Sequence, residues 1–119
     1  EKTKIGLVKN LSSMPINERE IYFNKISENS TEKVKTLLAQ NIELLPIDKR
    51  AIQYKNLAEN SGEDVKEALV YSLYYLPVDQ RITYFTMLSE NASERIEKAL
   101  SKQLIYIMDK QSLRSFSNF

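Results

Sequence analysis

The feature that most constrains the fold of this chain is an internal repeat with a period of 31. The three prolines, Pro15, Pro46 and Pro77, are evenly spaced by one period, and the segments around them align in three copies without a gap. Six positions are identical in every copy: the prolines, Arg19/Arg50/Arg81, the pairs Glu28-Asn29, Glu59-Asn60 and Glu90-Asn91, Glu32/Glu63/Glu94, and Leu38/Leu69/Leu100. A period of this length is typical of proteins that stack one supersecondary unit on the next.

Each unit is predicted to form two helices, A and B. Helix A begins at the proline, which suits the first helical position because its missing N–H has no partner there in any case. Asn17, Asp48 and Asp79 add acceptors in the first turn, where the helix dipole favours them. An apolar stripe with a 3.6-residue period follows, made of Ile47, Ala51, Tyr54, Leu57 and Ala58, and in the first copy of Ile16, Phe23 and Ile26.

Helix B is predicted to begin at the repeated asparagine. Asn29, Asn60 and Asn91 are suitable N-caps, and the glutamate three residues later is the partner in a capping box. The next proline ends the helix. The predicted buried positions are Val34, Leu37, Leu38 and Ile42, then Val65, Ala68, Leu69 and Leu73, then Ile96, Ala99, Leu100 and Leu104.

A hairpin of this size cannot bury both faces alone, so neighbouring hairpins must stack to form a core. The sequence therefore predicts an all-α fold, an α-solenoid of stacked antiparallel helical hairpins in one domain, 1–119. Its parts are a partial unit (1–13), three units (14–44, 45–75 and 76–107) and a degenerate terminal helix (108–119). Because 1–13 matches a helix B without its capping asparagine, we expect the chain to be part of a longer array.

The repeated pattern is Leu-Pro-x-x-x-Arg, an apolar helix, then Glu-Asn-x-x-Glu-x-[Val/Ile] leading into the second helix. In this respect the unit resembles the HEAT-like repeats of bacterial α-solenoid proteins, and the resemblance covers essentially the whole chain. It implies a HEAT-like superhelix. The tetratricopeptide repeat is a poorer match, because its period is 34 and its Trp and Gly landmarks are absent here.

The amino-acid composition argues against most kinds of enzyme active site. The chain contains no cysteine, histidine or tryptophan and only two glycines, which excludes disulfides, the usual zinc sites, Cys nucleophiles, His-based triads and phosphate-binding glycine loops. We therefore predict no enzymatic activity, no catalytic residue, no metal and no cofactor. No apolar run approaches the length of a membrane span. The compartment stays open, with the cytoplasm favoured, and we expect a monomer or a segment of a longer chain.

The repeated arginine has two interpretations. Arg19, Arg50 and Arg81 could form a ladder that binds phosphates or carboxylates. The favoured interpretation is structural: each arginine pairs with an acidic neighbour, such as Asp48, Asp79 or a glutamate of the adjacent unit, and so joins one unit to the next.

A binding face should vary where the framework repeats, and the outward stripe of the B helices varies. It offers two tyrosines in the second unit beside a basic helix in the third. Tyrosine gives a large contact area and Lys or Arg gives charge complementarity. The predicted partner-binding residues are Tyr71, Tyr74, Arg95, Lys98 and Lys102, on the concave face of a non-enzymatic protein–protein interaction scaffold.

Three alternatives stay open. The stripe can be an ordinary solvated face, or the segment can be purely architectural within a longer repeat protein. The third alternative, a nucleic-acid-binding repeat, is disfavoured because the formal net charge is only +1 and because Asp64, Glu67 and Glu97 interrupt the basic patch.

Overall fold

The computed structural model describes residues 2–107 of the chain. This part contains seven α-helices and three short 3₁₀ helices, joined by short turns. The α-helices are α1 (Lys2–Asn10), α2 (Ile16–Ser27), α3 (Glu32–Gln40), α4 (Ile47–Ala58), α5 (Glu63–Ser72), α6 (Val78–Ser89) and α7 (Glu94–Ile107). The 3₁₀ helices, Leu11–Ser13, Ile42–Leu44 and Leu73–Tyr75, precede the three prolines. The predicted all-α class is confirmed. The predicted terminal helix, 108–119, lies outside the described residues.

The helices form two rows. The four B helices, α1, α3, α5 and α7, pack side by side in chain order and are called here the B row. The A helices, α2, α4 and α6, follow the prolines and are called the A row. Each α-helix also packs against the next one along the chain, and contacts within the B row are more extensive than those between α2 and α4. Within residues 2–107, no helix is both long and apolar enough to cross a membrane.

The core lies between the two rows. Most of the predicted positions of the B helices are buried, with Leu37 and Leu104 partly so, and Phe23 and Tyr54 of the A helices are fully buried. The prediction was wrong for Ile16 and Ile47, whose side chains are 56% and 58% exposed. Both are the first residue of their helix, and a side chain at a helix end is covered only if a neighbour extends past that end.

The proline stands one position earlier than predicted. Pro15, Pro46 and Pro77 have extended ψ values of 140°, 143° and 143°, and each is the N-cap residue rather than the first helical residue. Its carbonyl oxygen accepts the first hydrogen bond of the helix, as between Glu18 N and Pro15 O at 2.9 Å. The ring still suits this place, because it fixes φ and has no N–H to leave unpaired.

The repeated asparagine is not an N-cap, and this prediction was wrong. Asn29, Asn60 and Asn91 have φ values of 51°, 53° and 53°, in the left-handed region that Asn tolerates better than other non-glycine residues. The residue before each is extended, with φ −63° and ψ 124° at Glu28. These angles are those of a type II turn, which needs a positive φ at its second central residue. The asparagine therefore reverses the chain after helix A.

The N-caps of the B helices are the residues two positions later. Thr31 Oγ1 accepts a hydrogen bond from Val34 N at 3.3 Å, and Ser93 Oγ accepts one from Ile96 N at 3.2 Å. The equivalent Gly62 has no side chain to offer. The repeated glutamate therefore follows its cap directly, and it lies too early to form the predicted capping box.

The glutamate instead reaches the neighbouring unit. Ser93 Oγ donates to Glu63 Oε2 at 2.8 Å. In the preceding pair, a Cβ on Gly62 would overlap the carboxylate of Glu32. Each of these glutamates thus places a negative charge at the N-terminus of the next B helix, where the helix dipole favours it.

The repeated arginine does join successive units, but its partners are backbone carbonyls rather than the predicted carboxylates. Arg50 Nη1 donates to Tyr75 O, at the far end of its own unit, at 2.8 Å. Its Nε donates to Leu45 O at 2.9 Å, and its Nη2 donates to Glu43 O of the preceding unit at 2.8 Å. Helix ends leave carbonyl oxygens without partners, and one guanidinium carries five N–H donors.

The same arrangement recurs in the first unit. Arg19 donates to the equivalent carbonyl oxygens at 2.9 to 3.0 Å, which are those of Ser12, Met14 and Leu44. Arg81 Nε donates to Leu76 O at 2.9 Å. Arg19 and Arg50 are therefore connectors between units.

Candidate functional site

A groove crosses the outward side of the B row and contains two of the five predicted binding residues. It has a volume of about 370 Å³ and spans α3, α5 and α7. Its polar and aromatic lining is Thr36 and Gln40 from α3, Asp64, Glu67 and Tyr71 from α5, and Arg95 from α7. The groove follows from the register of the repeat, since the equivalent outward positions of neighbouring B helices lie side by side.

Tyr71 stands near the C-terminal end of α5, and 44% of its surface is exposed. The equivalent positions in the other units carry Gln40 and Lys102. A tyrosine contributes a large contact surface with few rotatable bonds, and its ring face attracts cations. Tyr71 is the aromatic residue of the groove.

Arg95 binds two carboxylates of the preceding unit. Its Nη2 donates to Asp64 Oδ1 at 2.8 Å and its Nε donates to Glu67 Oε2 at 2.9 Å. The hydrogen bond from Arg95 lowers the pKa of the Glu67 carboxyl below its ordinary value, outweighing a small opposing effect of burial. The same two carboxylates raise the pKa of the Arg95 guanidinium. Arg95 thus bridges α7 to α5 and partly neutralises the acidic wall of the groove.

The two predicted lysines lie on the exposed surface of α7 beyond the groove. Lys98 Nζ forms an ion pair with Glu94 Oε1 at 3.3 Å, one helical turn away. Lys102 is exposed, and its charge makes a minor contribution to lowering the pKa of Glu67. Lys102 therefore interacts with the acidic wall of the groove and is not part of an isolated basic patch.

Tyr74 lies at a different part of the surface, in the 3₁₀ helix before Pro77. Its side chain is 54% exposed, its ring meets that of Tyr75 edge to face with centroids 5.7 Å apart, and the Arg81 guanidinium carbon is 5.1 Å from its centroid. It does not line the groove. Sequence periodicity placed it in the stripe, but the helix tightens from α to 3₁₀ after Ser72, which changes the direction of the later side chains.

Asp64 and Glu67, which were predicted to interrupt a basic patch, form the acidic wall of the groove. A signal for this was present. Asp64 and Arg95 stand one period of the repeat apart, as do Glu67 and Lys98, so opposite charges occupy equivalent positions of adjacent helices. In a stacked repeat such positions are neighbours.

The groove is open, and charged, polar and aromatic side chains line it. Within residues 2–107, no group of three or more acidic, His or Cys side chains is placed to hold a metal ion. A second cavity, near the A-to-B turn of the third unit, has a volume of only about 80 Å³.

Residues 2–107 thus define an all-α protein with a groove across one row of helices. Comparisons of the chain with known protein families, with curated proteins and with solved structures gave no match.

Proposed function

We propose that the chain is a segment of α-solenoid that acts as a non-enzymatic scaffold and binds a protein partner on the face of the B row. The observation that carries this proposal is the contrast between constant and varied positions. The proline, arginine, asparagine and glutamate of the framework are repeated, whereas the outward positions of α3, α5 and α7 differ in every copy and line an open groove.

The packing supports a curved stack with this face on the inside. Contacts between successive B helices are more extensive than those between α2 and α4. A stack curves toward the row whose members lie closer together, so these contacts support the proposal that the B row forms the concave side. A concave surface of this kind is the usual binding surface of solenoid proteins.

A protein partner suits the surface better than a nucleic acid does. Nucleic-acid binding requires cations free to contact phosphates. Arg95 is held by Asp64 and Glu67, and Lys98 by Glu94. Tyr71, which lines the groove and is 44% exposed, is the residue that we expect a protein partner to cover.

The proposal is tested by photo-crosslinking in lysate of the source organism. A benzoylphenylalanine replaces Tyr71 in the groove or, as a control, Ile52, which is 57% exposed on the A row. We expect a discrete protein adduct from position 71 and none from position 52. An adduct with nucleic acid, equal adducts from both positions, or no adduct at position 71 would argue against the proposed scaffold function.

The crosslink is checked with a variant that the repeat itself supplies. Gln40 occupies the position equivalent to Tyr71, so Tyr71→Gln keeps a side chain that the framework already accommodates. The same partner should be lost from this variant in a pull-down while its helicity is unchanged. Retention of the partner would show that the groove is not its binding site.

A further inference from the structure

The groove has an uneven distribution of charge. Two carboxylates, Asp64 and Glu67, stand on the α5 wall, and one guanidinium, Arg95, approaches them from α7. The opposite wall, on α3, carries the neutral Thr36 and Gln40. Among the ion pairs of residues 2–107, none joins an α3 cation to these carboxylates.

The carboxylates also stay accessible from the groove. The side chains of Asp64 and Glu67 are 60% and 35% exposed despite their bonds to Arg95. The hydrogen bond from Arg95 lowers the pKa of the Glu67 carboxyl and so favours its charged form. A carboxylate has two oxygens and about four lone-pair sites, so each can accept further hydrogen bonds.

The remaining lining groups suit a cation as well. The hydroxyl of Thr36 and the amide oxygen of Gln40 are acceptors, and the exposed ring of Tyr71 presents a face that attracts an ammonium or guanidinium group. A volume of about 370 Å³ accommodates a long side chain. The groove thus combines acceptors on α3 with an aromatic ring and two carboxylates on α5.

We infer that this groove takes a lysine or arginine side chain from a basic segment of the partner, entering between α3 and α5. The inference rests on the proposed scaffold function and specifies the chemistry of its partner. The basic residues of α7 alone would favour an acidic partner, so the inferred basic segment is the opposite of what those residues suggest. The guest cation lies opposite Arg95 and satisfies the carboxylate lone pairs that Arg95 leaves free.

The inference is tested with three labelled peptides that differ only in repeated arginine, glutamine or glutamate, titrated with the purified chain and followed by fluorescence anisotropy. We expect the arginine peptide to bind most tightly. The net charge of +1 favours the glutamate peptide in any non-specific attraction, so this preference must come from a local site.

The decisive variant is Gln40→Lys, which places a cation on the α3 wall and leaves the bonds of Arg95 intact. Lysine stands at the equivalent positions in α1 and α7, as Lys9 and Lys102, so the fold accommodates it. We expect the affinity for the arginine peptide to fall about tenfold or more, since placing like charges together in a binding site costs over 1 kcal/mol.

The matched control is Asn56→Lys, an equal change of charge at an exposed position of the A row, where the first unit carries Lys25. It should bind the arginine peptide like the wild type. Equal losses in both variants, or no preference of the wild type for the arginine peptide, would overturn the inference. A crosslink from position 71 to an acidic segment would overturn it too and leave the scaffold function standing, whereas the absence of any protein adduct would remove both.

Discussion

Two arginines join neighbouring units of this chain, and they do so in different ways. Arg50 is partly buried and donates to three backbone carbonyls, one of them in the preceding unit. Arg95 is exposed and donates to two carboxylates of the preceding unit. The first arginine is repeated in all three copies, and the second occurs once. Bonds to the backbone do not depend on neighbouring side chains, so they can recur while the surface around them changes.

The largest effect of a substitution on the free energy of unfolding is expected at the repeated arginine. Arg50→Ala leaves three carbonyl oxygens without donors at the junction of two units, and we expect it to destabilise the fold by about 3 kcal/mol. Urea unfolding followed by circular dichroism measures the change. Arg50→Lys is the control. It keeps the charge but loses the planar set of donors, so it should recover only part of the lost stability. Wild-type stability in Arg50→Ala would show that the bonds to the carbonyls contribute little.

The next largest effect is expected at the turn between helices A and B. Asn60 has a φ of 53°, so Asn60→Ser, which disfavours this conformation, should destabilise the fold by about 1 kcal/mol. Asn60→Gly should be tolerated better than Asn60→Ser, because glycine adopts a positive φ without a steric penalty. An N-cap prefers serine to glycine. The reverse order of stability would therefore restore the N-cap interpretation.

A third effect concerns the fully buried Tyr54, whose hydroxyl donates to Leu69 O at 2.6 Å. Tyr54→Phe should cost about 1 kcal/mol in chemical unfolding at neutral pH. Burial, with a smaller effect of Tyr84, raises the pKa of Tyr54 well above its ordinary value of 10.0. The folded state therefore retains a proton that the unfolded state loses.

The pH dependence follows from that difference. The contribution of Tyr54 to stability is complete below about pH 10 and is lost as the pH rises through the higher pKa of the folded state. Tyr54→Phe should show a shallower loss of stability above pH 10 than the wild type. Parallel curves for the two proteins would mean that Tyr54 ionises alike in the folded and unfolded states.

Most of the secondary structure was predictable because it depends on local patterns. Evenly spaced prolines and apolar stripes with a helical period predict two helices per unit, and helices of this kind are present from Lys2 to Ile107. The errors lie at the helix ends. Asn60 is favoured both as an N-cap and at positive φ, so its identity alone does not decide between the two.

The candidate site was less predictable because it depends on contacts between units. Tyr71 and Arg95 were predicted together and line one groove, whereas Tyr74 stands in a 3₁₀ helix outside it. A composition of 17 basic and 16 acidic residues does not reveal which cation meets which carboxylate. The 31-residue spacing makes Arg95 a neighbour of Asp64, but the bond of Arg95 to Glu67 is visible only in the structure.

The smallest effect on stability is expected at Arg95, and it sharpens the comparison with Arg50. Arg95→Ala removes an exposed pair of ionic contacts, which contribute little to stability, so the melting temperature should match that of the wild type. Its effect should fall on binding, because Asp64 and Glu67 then face the groove without their internal cation and the affinity for the arginine peptide should rise. Anisotropy measures the second change and thermal unfolding the first. A marked loss of stability would make Arg95 a connector like Arg50, and unchanged affinity would show that its guanidinium does not shield the acidic wall.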